Sequence, residues 1–142
     1  MKYLILTISI LTLFSCNSET ATTTDDVAAD EVTEGISLNN GEKWEVNAEM
    51  KPHIEKGEAV LKAFITEESE DYPQLAAELQ EQNNALIKSC TMKGKSHDEL
   101  HKWLYPHIQL INQLSKAENY TQAKETINAL EKSFKLYHQY FK

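Results

Sequence analysis

Ala123, Ile127, Leu130, Phe134, Tyr137 and Phe141 recur at intervals of four, three, four, three and four. Only a helix places such positions on one face, and the stripe is that of a helix packed along its length against others. Three more patterned segments precede it. The first carries Val46, Met50, Ile54, Gly57, Leu61 and Phe64, with Pro52 near its start, where a missing N–H costs least. The second opens at Pro73 and carries Leu75, Leu79, Leu86 and Cys90, with Gln82 on the seam between them. The third runs from Ser96 to about Ser115 with Leu100, Leu104, Ile108 and Ile111 inward, and Pro106 in its interior should bend it. No stretch alternates with period two over a strand's length. The connections are short, which makes successive helices antiparallel. The expected fold is an all-α, up-down-up-down four-helix bundle over residues 41–142.

Residues 1–40 read differently. Lys2 is followed by a short apolar run, Tyr3 to Phe14, too short and wrongly flanked to span a membrane. Residues 1–15 are therefore expected to be a signal peptide. Residues 16–40 read as an acidic linker: Glu19, Asp25, Asp26, Asp30, Glu31 and Glu34 face no basic residue, and Thr and Ala fill the gaps. Such a composition cannot bury enough apolar surface to offset its ordering entropy. The formal net charge of the chain is −8. It offers no basic stripe for nucleic acid and no polybasic patch for anionic lipid.

The turn between the second and third helices concentrates chemistry. It reads Cys90-Thr-Met92-Lys-Gly94-Lys-Ser96-His97-Asp98-Glu99-Leu100-His101. Ser96 with Glu99 three residues on has the form of a capping box. His97 and His101, at i and i+4, share a helix face, the spacing that lets two imidazoles hold one metal ion. Gly94 would supply a positive φ in the turn.

In an up-down-up-down bundle this turn lies at the same end as Met50, His53 and His138. At about 100° per residue, His97 and His101 lie about 20° and 60° from Leu104, and His138 about 40° from Phe134. All three are therefore expected inward. His107 lies near −60° but about two turns further up, and is set aside. Taken singly, each residue has an ordinary explanation: a seam Met fills gaps and a buried Cys acts as a small hydrophobe. Their convergence suggests a cofactor at this end. Thiolate, thioether and imidazole together select copper, particularly Cu(I), and the expected ligands are Cys90, Met92, His97 and His101. Zinc would accept Cys90, His97 and His101 but has less use for methionine. Such a protein would buffer, store or pass on copper. A bundle that binds no cofactor and docks an envelope protein is a further reading. No Ser/His/Asp or paired-carboxylate arrangement stands out, so no enzymatic activity is expected. Asp98 and Glu99 are explained by capping and the helix dipole.

Two resemblances add to this. Leu13-Phe14-Ser15-Cys16, directly after the apolar run, resembles the lipobox of bacterial lipoproteins. It implies that Cys16 is lipidated and that the acyl chains hold the domain to a membrane of the cell envelope. By that family's sorting rule, Asn17 after the cysteine favours the outer membrane over the inner. The closing Tyr137-His138-Gln139 of the last helix, with a Met near the start of the first, resembles cytochrome b562. That likeness implies a haem b held between Met50 and His138, and an electron carrier as the alternative function. There is no Cys-x-x-Cys-His for covalent haem attachment.

Overall fold

The computed structural model describes residues 35–142; the expected signal peptide, Cys16 and most of the acidic linker lie outside them. Four helices form an all-α bundle: α1 (Lys51–Thr66), α2 (Tyr72–Ser89), α3 (Lys95–Leu114) and α4 (Tyr120–Tyr140). Each packs on the next, and α4 closes the ring on α1. Among the described residues no strand forms; two isolated bridges, Asn39–Glu42 and Trp44–Phe141, are the only β-type pairings.

Local chemistry sets the helix ends. Asp71 caps α2 by accepting from the Gln74 N–H at 3.0 Å, and Asn119 caps α4 from Gln122 in the same way. Gly94 precedes α3 with φ at +66°, the conformation that its lack of a Cβ permits. The expected capping box does not form. Ser96 already lies inside the helix, and Glu99 is turned away to bind Ser37 and Lys102. α3 runs unbroken through Pro106.

The first seam is shorter than its periodicity suggests. Met50 is the residue before α1, so Val46 falls outside the helix although it is buried. It belongs to a strap, residues 35–49, that closes the end of the bundle where the α2–α3 turn lies. The Trp44 N–H donates to the Tyr140 carbonyl at 2.7 Å, and Lys142 N–H donates back to the Trp44 carbonyl at 2.9 Å. Asn47 fastens the strap to the end of α2, donating to the Ser89 carbonyl and accepting from the Thr91 N–H. Residues 35–37, expected within the linker, lie against α3: Ile36 is buried, Ser37 N–H donates to Glu99 Oε2 at 2.8 Å, and Lys102 Nζ donates to the Gly35 carbonyl.

The core between α3 and α4 is aromatic. Phe134, His107, Trp103, Tyr137 and Phe141 form a continuous ladder with ring centroids 4.8–5.3 Å apart. Trp103 is fully buried, and its Nε1–H donates to the Ser133 carbonyl at 2.8 Å. Burying a side chain of this kind contributes on the order of 1.5–3 kcal/mol, provided its polar tip finds a partner. No helix among the described residues is long and apolar enough to cross a membrane.

Candidate metal site at the start of the third helix

The first two turns of α3 bring His97 and His101 together. Their Nε2 atoms are 3.0 Å apart and their ring centroids 4.2 Å. Both side chains are half-buried, and the edge of Tyr105 packs on His101 at 4.8 Å. Burial, and then the neighbouring His97, hold the His101 ring below its ordinary pKa, so its lone pairs are not lost to protonation at neutral pH. At this distance the two rings share one proton in an N–H···N hydrogen bond. They also fit a metal ion. With metal–nitrogen bonds of about 2.0–2.1 Å, adjacent corners of a square plane are about 2.9 Å apart and those of a tetrahedron about 3.3 Å.

The other expected ligands are placed elsewhere. Cys90 is a free thiol that ends α2 with extended backbone; it and Met92 are half-buried and pack against the apolar core. Among the described residues no three side chains of His, Cys, Asp or Glu come together as metal ligands. Cys90 is therefore not held with the two histidines. The thiol behaves as a small hydrophobe at the helix end.

Met50 and His138, the expected haem ligands, have different surroundings. Met50 is 1% exposed, sealed in the core. The His138 side chain is 50% exposed on the surface of α4, and its Nε2 is 2.9 Å from Glu58 Oε2 of α1. The buried arc of α4 runs from Phe134 toward Ser133 and Leu136, so a residue about 40° to the other side falls outside it.

His107, set aside in the sequence because it lies about two turns further up, is a buried core residue. It is 3% exposed, stacked on Trp103, with Nδ1 2.9 Å from Ser133 Oγ of α4. Burial pushes its pKa down to about 4. It lines a small internal recess with His53, Asn83, Gly57 and Phe134. Buried Glu99 was also missed as a structural ligand. Burial alone would raise its pKa, but the Lys102 ammonium and the Ser37 N–H outweigh that and hold the carboxyl below its ordinary value. Trp103 was the available signal for both: counted on the apolar face of the third helix, it turns that face toward Glu99 and His107.

No family model, curated protein or solved structure matches this chain.

Proposed function

We propose that this chain is a lipid-anchored protein of the cell envelope whose helical bundle binds copper through His97 and His101. The 3.0 Å approach of the two Nε2 atoms carries the reading. With Cys90 and Met92 packed on the core, the donors that remain are imidazoles, and these suit Cu(II) as well as Zn(II). Copper stands highest among the divalent ions for such donors. Buffering, storage or transfer of the ion is the role consistent with a site on the bundle surface. The lipobox supports the anchor. Gly35 and Ser37 are tied beside Lys102 and Glu99 of α3, on the helix that carries the histidine pair.

A titration of the purified protein with Cu(II), followed by calorimetry and thermal melting, tests this. Copper should raise the melting temperature, by the equivalent of about 2.7 kcal/mol at a hundredfold excess over Kd. His97→Ala and His101→Ala should each remove most of that gain, whereas Cys90→Ser should keep it. A wild-type melting curve that ignores copper would end the reading.

A further inference from the structure

We infer that the His97–His101 pair is one half of a metal centre, and that a second copy of this chain supplies the other half through its own identical pair. The inference rests on the copper reading above and names the partner at that site. One copper ion would then join two chains through four imidazole nitrogens.

Three observations lead there. The first is incompleteness. Two nitrogens fill two adjacent corners of the four-nitrogen plane that Cu(II) prefers, and among the described residues no further His, Cys, Asp or Glu joins them. Cys90 and Met92 are committed to the core. The second is the surface beside the pair. Tyr105 packs on His101 one turn along α3 and is 59% exposed, one of the most exposed large hydrophobics among the described residues. Because the ring packs on His101 itself, a second molecule that shared the metal would cover it. The third is symmetry. A two-fold axis through the ion makes each chain present the same patch to the other, and such isologous contacts are the commonest way that identical chains pair.

Charge makes the pairing conditional. Each chain carries a formal net charge of −8, so two copies repel one another unless something between them compensates. A doubly charged cation at the axis offsets part of that repulsion where the two surfaces meet. On binding, the ring that donates the shared N–H···N hydrogen bond carries its proton on Nδ1 instead, and both Nε2 lone pairs face the metal. No proton is released and no redox step is involved.

The test titrates the metal-free protein with Cu(II) sulphate. Mass is followed by sedimentation and native mass spectrometry, and the nitrogen ligands are counted by electron paramagnetic resonance. The expected result is saturation at one copper per two chains, a doubling of mass that a chelator reverses, and splitting from four equivalent nitrogens. His101→Ala and His101→Gln should both abolish the mass change, with circular dichroism confirming that each folds. Tyr105→Ala should keep the copper and weaken the dimer. Saturation at one copper per chain with unchanged mass would overturn the shared centre while leaving the copper reading intact. No copper uptake at all would overturn both.

Discussion

Nδ1 of His107 on α3 lies 2.9 Å from Ser133 Oγ on α4, with the ring stacked on Trp103 and edge-on to Phe134. Its surroundings tolerate only the neutral ring, and its pKa of about 4 follows from burial. At neutral pH both the folded and the unfolded chain hold the ring uncharged. Below about pH 6.5 the unfolded chain takes up a proton that the folded one refuses. Stability should then fall by about 1.4 kcal/mol per pH unit, until the ring protonates in the fold near pH 4. Urea unfolding between pH 7 and pH 4 should show this slope, superposed on that of the carboxylates. His107→Phe keeps the stack and should flatten the curve over that range; an unchanged slope would remove the assignment.

Glu99 should prove to be the fastening of the strap. It accepts from the Ser37 N–H at 2.8 Å and from Lys102 Nζ at 2.8 Å while itself buried. Removing the carboxylate leaves a backbone donor without its partner, a loss of about 1–3 kcal/mol. Glu99→Ala should therefore accelerate hydrogen exchange at Ser37 and Trp44 far more than at Ala123 or Leu130 in the middle of α4. Because its folded pKa is depressed, its contribution is present above the ordinary carboxylate range and fades as the pH falls through the folded value. Uniform acceleration along the chain would mean that the strap is held by other contacts.

Gly57 sits in the interior of α1, where alanine would favour the helix by about 1 kcal/mol. A Cβ there would lie 3.3 Å from Cζ of Phe134. That ring is pinned edge-on by His107 at 4.8 Å, so it cannot swing aside freely, and overpacking of this kind costs about 1–3 kcal/mol. Gly57→Ala should lower the melting temperature in the wild type and raise it in a Phe134→Leu background. Equal effects in both backgrounds would show that the ring does not limit the approach of α1 to α4.

The bundle was legible because four apolar stripes with helical period and short connections admit little else. The facing of individual residues was less so, for a reason that recurs. Zeroing the third helix on Leu104 puts His97 and His101 inside the apolar arc at about 20° and 60°, and His107 near −60°. The buried residues Glu99, Leu100, Trp103, Leu104, His107, Ile111 and Leu114 centre that arc about 60° away from Leu104. His107 then lies at its middle, and the His97–His101 pair at its edge. The same offset on the fourth helix sends His138 to the surface. The approach of His97 to His101 follows from i, i+4 spacing and was readable. The separation of Cys90 from them depends on how the turn packs, and one-dimensional spacing does not carry that.

Met50 and His138 should respond differently to the same substitution. Met50 fills the core at the start of α1 and is 1% exposed. Met50→Ala leaves a cavity there, with a loss of about 2–5 kcal/mol. His138 meets Glu58 on the surface, both side chains being close to half exposed, and an exposed pair of this kind contributes about 0–1 kcal/mol. His138→Ala should therefore leave the melting temperature within a few degrees of the wild type. Added haem separates this surface role from the haem-carrier alternative. A methionine–histidine axial pair would give an absorbance spectrum that His138→Ala abolishes and Met50→Ala alters. The packing of both residues predicts instead that any haem absorbance is the same in wild type and His138→Ala. A Soret band that disappears with His138 would mean that α1 and α4 part to admit the cofactor, and the haem reading would then displace the copper one.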